Sequence, residues 1–145
     1  MANKFLVFIE QRDGNFKKSS LEAAKQASIT ASQLNAEIEA VTIGNEITNL
    51  ESIGGYGISK ITHIKNSELS NYSVSAYSDL LLEFAIESGA NNLVLANTSM
   101  GKDLAPHLAI KLNCGIATDC VAVEVSEGKL SVTKPVYAGK ALTVI

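Results

Sequence analysis

At 145 residues the chain suits one domain with a real core, and 46% hydrophobic against 19% charged residues excludes intrinsic disorder. A formal net charge of −3, with Lys17-Lys18 the one adjacent basic pair, argues against nucleic acid as a partner. No apolar run approaches the roughly 20 residues that span a bilayer. The run at 5–9 stops at Glu10 without a cleavage site, so a cytoplasmic protein with no membrane partner is expected.

Residues 4–9 read as a first strand, followed by turn chemistry over 11–16 in which Asp13-Gly14 is the strongest breaker. Ser19 or Ser20 is placed to cap the next helix, whose inner face (Leu21, Ala24, Ser28, Ala31, Leu34) is narrow enough to pack closely on a sheet. A second strand is expected over 38–43, ended by Gly44, and a short helix over 47–50. Gly54-Gly55-Tyr56-Gly57 lacks the G-x-G-x-x-G order of a phosphate loop and reads as a helix exit. A short third strand covers 60–64, with His63 near no other candidate ligand. Tyr77, Leu80, Leu81, Phe84, Ala85 and Ser88 define the clearest amphipathic helix, stopped by Gly89.

The chain then reaches its focal stretch. Residues 92–96 form a short apolar run of the kind buried on both faces, and Leu104, Leu108 and Leu112 then recur at helical spacing. Between them lies a turn of small and polar residues. A strand, such a turn and a helix make the place where α/β proteins hold anions or nucleotides. The candidate ligand-contacting residues are Asn97, Thr98, Ser99, Gly101 and Lys102, the remnant of a nucleotide loop. Gly101-Lys102 does not make a P-loop, because the earlier glycine is missing and Asp103 stands where a magnesium-binding hydroxyl is needed. Asp103 is expected as the helix N-cap, which puts Pro106 at N3, where no intrahelical bond is lost. A carboxylate cap would also satisfy the amides that an anion needs. His107, four residues after Asp103, is explained by a local pair on one helix face.

After that helix, Cys114-Gly115 marks its end, and consecutive strands follow: one from Cys120 to Val125, a hairpin turn at Glu127-Gly128, a strand over 129–136, and another beginning at Ala141. Cys114 and Cys120 have five residues between them and no His or Cys at metal-ligand spacing. They read as free thiols in a reducing compartment, since a zinc site needs about four ligands. No Ser-His-Asp order and no Gly-x-Ser-x-Gly is present, so neither a catalyst nor a metal centre is indicated. Strand and helix alternate through the first 120 or so residues, which argues for a mostly parallel sheet with helices on both faces, a three-layer Rossmann-like α/β fold with antiparallel strands added at the carboxyl end. The chain stops on Leu142-Thr143-Val144-Ile145, an apolar strand without a polar exit, and is expected to be a piece of something longer.

Gly101-Lys102-x-Leu104-x-Pro106-x-x-Ala109-x-Lys111-Leu112, then Asp119, then Val136-Tyr137-Ala138-Gly139-Lys140-Ala141, resembles the alpha subunit of electron transfer flavoprotein. The opening strand and the Ala-rich first helix fit the same family. The resemblance implies that residues 1–145 are its single amino-terminal domain, of adenine-nucleotide-hydrolase-like fold. It also implies pairing with a beta subunit, in a heterodimer that carries electrons from dehydrogenases to an acceptor through FAD. That FAD would sit mainly in a second domain absent from this sequence, so no cofactor is expected in this chain and no catalysis by the domain itself. The alternative is a stand-alone nucleotide-binding module of universal-stress-protein type, motivated by the strand–turn–helix at 92–112.

Overall fold

The computed structural model describes residues 4–69 and 72–112 and the backbone of the strands at 122–126, 129–136 and 141–144. Its centre is β1 (Lys4–Phe8), where Leu6 and Phe8 point to one face of the sheet and Val7 to the other, all buried. A strand buried on both faces has no room for alternation with polar residues, which is why its sequence is a continuous apolar run. Parallel partners flank it: β4 (Glu37–Gly44) on one side and β6 (Asn92–Val94) on the other, with β5 (Ile61–Lys65) beyond β4. Between β1 and the first helix, β2 (Gln11–Arg12) and β3 (Asn15–Phe16) form a minimal hairpin. Its turn residues Asp13 and Gly14 take the positive φ angles that suit a tight hairpin.

Two helical layers cover the sheet. On one face α1 (Lys18–Gln33) presents Ala24, Ala27 and Ala31, and with Val7, Ile9, Ala40 and Ile58 it makes one core cluster. Small side chains let this helix lie close to the sheet, as its narrow face predicts. On the other face α2 (Val74–Ser88) and α3 (Ser99–Leu112) bury Tyr77, Leu81, Leu104 and Leu108 against Leu6, Phe8, Val41 and Ile43. Gly89 ends α2 with φ +73°, the left-handed residue that a helix terminus favours. The last strands, β7 (Ala122–Ser126), β8 (Lys129–Val136) and β9 (Ala141–Val144), form a separate antiparallel sheet in consecutive order. The expected three-layer α/β class with added antiparallel strands is the one observed.

Several local expectations shift. Ser20 is not a helix cap: α1 begins at Lys18, with no side-chain bond at its N-cap, and the Ser20 hydroxyl accepts the Glu10 N–H instead. The short helix lies at Leu50–Tyr56, not 47–50, and is 3₁₀, so Gly54 and Gly55 are inside it. Gly57 alone forms the exit, with φ +87° and with Ser28 where a Cβ would go. Cys114, Gly115, Asp119, Cys120, Glu127, Gly128 and residues 137–140 lie outside the described residues.

Candidate functional site

The sheet order β5-β4-β1-β6 means that the chain leaves β1 toward β4 and later returns to build β6 on β1's other side. The connections leaving β1 and β6 therefore diverge, and the switch-point crevice of such a sheet falls between the carboxyl ends of these two strands, where Glu10 is buried. That is where open α/β sheets bind ligands. The segment that follows β6 borders it, so the focal stretch does lie at the switch point.

Asp103 does not cap α3. The helix starts at Ser99, four residues earlier, with Thr98 as its cap: the Thr98 hydroxyl accepts the Gly101 N–H at 3.1 Å, and the Thr98 carbonyl accepts the Lys102 N–H at 2.8 Å. Thr98 wins because its hydroxyl has a second partner that local sequence does not reveal. It donates to Glu10 Oε2 at 2.6 Å, across 88 residues of chain. Gly101 makes the early start possible, because a Cβ there would collide with the Ala96 carbonyl oxygen. Pro106 consequently lies inside the helix and not at N3. Pro106 is exposed, so the helix hydrogen bond that its missing N–H forgoes lies on the water side.

Glu10 is the residue that sequence reasoning missed. Its side chain is only 1% exposed, although it is charged. Its backbone N–H donates to Ser20 and its carbonyl accepts the Lys17 N–H, which ties the exit of β1 to the first turn of α1. One carboxylate oxygen accepts from Thr98; the other, Oε1, lies 3.8 Å from the Lys17 ammonium and has no hydrogen-bond donor among the described residues. The carboxylate thus sits at the N-terminus of α3, where the positive end of the helix dipole favours an anion. One signal was available: Glu10 is the first charge after an apolar strand, at the point where the chain enters the crevice.

The remaining candidates do not converge. Asn97, Ser99 and Lys102 are exposed around the rim, whereas Gly101 is buried and Thr98 half-buried. The Asp103 carboxylate faces Tyr72, whose hydroxyl is 3.5 Å away. Burial first, and the neighbouring Asp103 charge second, push the Tyr72 hydroxyl up to about 12. The His107 ring meets the Asp103 backbone carbonyl at 2.8 Å, and His63 meets the Gly44 carbonyl at 3.1 Å. Both histidines therefore have local partners. No group of three potential metal ligands occurs among the described residues. At the opposite end of the sheet, Lys4 and Lys60 each lie 3.4 Å from the buried Glu39 carboxylate, a self-compensated cluster.

Glu10 also bears on whether a dinucleotide has a place here. A pyrophosphate would have to displace a buried carboxylate tethered to β1, or sit against it. The described residues supply no glycine-rich loop that would let the backbone wrap the phosphates.

The electron transfer flavoprotein domain model matches residues 5–145. This chain belongs to the electron transfer flavoprotein domain family. Among curated relatives, the electron transfer flavoprotein subunit alpha of Syntrophomonas wolfei is 36% identical over 140 residues, covering 96% of this chain and 43% of the relative. Protein FixB of Clostridium saccharobutylicum is 30% identical over 141 residues, covering 96% of this chain and 42% of the relative. The acryloyl-CoA reductase electron transfer subunit beta of Anaerotignum propionicum is 27% identical over 124 residues, covering 85% of this chain and 34% of the relative. The chain thus spans less than half the length of each of these relatives. Among its described residues no helix is long and apolar enough to cross a membrane.

Proposed function

We propose that this chain is the amino-terminal α/β domain of an electron transfer flavoprotein alpha subunit and serves as a scaffold, not as a cofactor site. In this reading it packs on a beta subunit and positions a second domain that holds FAD, in a cytoplasmic heterodimer that takes electrons from dehydrogenases to an acceptor. The domain itself performs no catalysis. The observation that carries the scaffold role is the Glu10 carboxylate, 1% exposed at the switch point, where a nucleotide phosphate would otherwise lie. The same observation weighs against a stand-alone nucleotide-binding module of universal-stress-protein type.

The reading is tested by mixing this chain with a purified beta subunit from a matching alpha/beta pair and measuring association by analytical ultracentrifugation. Association of the full-length alpha subunit and of this chain is expected. If neither associates, the heterodimer reading fails. The purified chain is expected to be colourless, and a stoichiometric flavin spectrum would overturn the scaffold role. Calorimetric titration with ATP and AMP is expected to show no heat of binding; a low-micromolar dissociation constant would favour the nucleotide-binding module.

A further inference from the structure

We propose that the crevice between β1 and β6 is a binding site for a small oxyanion, kept filled by the tethered Glu10 carboxylate, and that removing this carboxylate opens it to free acetate and inorganic phosphate. Three separate elements build the site around the carboxylate. The segment just after β1 supplies Glu10, the cap of α3 supplies the Thr98 hydroxyl at 2.6 Å, and the entry to α1 supplies the Lys17 ammonium at 3.8 Å. α3 is 14 residues long, and its N-terminus presents about half a positive charge to whatever lies at Thr98. Burial of a charge is costly unless the surroundings are built to receive it. Here a carboxylate is 1% exposed, yet one of its two oxygens, Oε1, has no hydrogen-bond donor among the described residues. The tethered side chain thus leaves that oxygen short of Lys17, and a free anion, not tied to the backbone, can shift toward the ammonium.

Glu10→Ala removes the terminal methylene and carboxylate and leaves the Cβ, so the deleted fragment has the size and charge of acetate. Phosphate, a mixture of mono- and dianion at neutral pH, offers one oxygen to Thr98 and a second toward Lys17, the position that Oε1 leaves unmatched. Neither ligand needs the glycine-rich wrap that a dinucleotide requires.

The test compares thermal unfolding of the whole chain, wild type and Glu10→Ala, in chloride, acetate and phosphate at neutral pH and matched ionic strength. Acetate and phosphate are expected to raise the Tm of Glu10→Ala by about 3 °C or more over chloride while leaving the wild type unmoved. Adding Thr98→Val should abolish the gain. Equal Tm values for folded Glu10→Ala in the three salts, or an equal rise in the wild type, would overturn the proposal. If Glu10→Ala is unfolded in chloride, recovery of its circular dichroism in acetate supports the site, and failure in all three salts overturns it. Glu10→Gln, which keeps the crevice filled without the charge, is expected to show no anion dependence; a response there would put the binding elsewhere and equally overturn it. No partner takes part in these measurements, so their failure leaves the heterodimer reading untouched.

Discussion

Replacing Thr98 by valine keeps the side-chain shape and removes one hydroxyl that does two jobs. The first is the cap on the Gly101 N–H at 3.1 Å, and losing a threonine cap costs about 1 kcal/mol. The second is the 2.6 Å donation to Glu10, and a hydrogen bond to a charged group contributes roughly 1.5–3 kcal/mol. Because Glu10 is buried, its carboxylate cannot turn to water for a replacement donor. The two losses share one atom and do not simply add, so Thr98→Val is expected to destabilise the chain by about 3 kcal/mol. For a chain of this size that lowers Tm by roughly 10 °C. Urea unfolding monitored by circular dichroism measures it, with an unchanged m-value showing that the unfolded state is not the cause. Thr98→Ser, which keeps the hydroxyl, should cost less than about 1 kcal/mol. In a Glu10→Gln background the valine substitution should cost markedly less, since the charge it serves is gone. A loss below about 1 kcal/mol for Thr98→Val, or equal losses in both backgrounds, would refute the clamp between α3 and β1.

Three further outcomes follow from the same geometry. Pro106→Ala should stabilise the chain by about 1–2 kcal/mol, because an interior proline costs roughly 3 kcal/mol and returns part of that by restricting the unfolded chain; a neutral or destabilising result in urea unfolding would instead suit a helix starting after Asp103. Gly101→Ala drives a methyl into the Ala96 carbonyl and should cost about 1–3 kcal/mol, measured as a lower urea midpoint. The Tyr72 hydroxyl, raised to about 12, stays protonated in the folded chain while it ionises near 10 in the unfolded one. Its contribution to stability is therefore present below pH 10 and lost as the pH rises toward 12, and Asp103→Asn should move its tyrosinate absorbance to lower pH, with Tyr72→Phe identifying the signal.

The layers were legible because they depend on local patterns. A continuous apolar run made β1, alanines at helical spacing made the close-packed α1, and Gly89 marked the end of α2. The start of α3 was not legible, for an identifiable reason. Asp103 before Leu104-Ala105-Pro106 satisfies every local rule for an N-cap, and so does Thr98. Local rules cannot rank them. The contact that decides between them, Thr98 to Glu10, joins residues 88 apart, and only the pairing of β1 with β6 brings them together. Ser20 departs from its local rule for the same reason: its hydroxyl serves the exit of β1, not its own helix. Gly101 drew attention as part of a Gly-Lys pair, whereas its physical role is the close approach of α3's first turn to Ala96.

Electrostatics sets how firmly Glu10 closes the crevice. A phosphate placed beside the Glu10 carboxylate, on the order of 5 Å away and at an effective dielectric constant of about 20, meets a repulsion of roughly 3 kcal/mol per phosphate charge. Each such charge weakens binding by about two orders of magnitude. A dianionic monophosphate, as in AMP, would lose about four. The helix N-terminus could return only about 1–2 kcal/mol, and it already spends that attraction on Glu10. Against this, a nucleotide base and ribose would need an enclosing apolar wall, but Asn97, Ser99 and Lys102 at the rim are exposed to water. At the switch point the Thr98 hydroxyl and the Lys17 ammonium thus face one buried carboxylate, Glu10, and a phosphate arriving there meets that charge first.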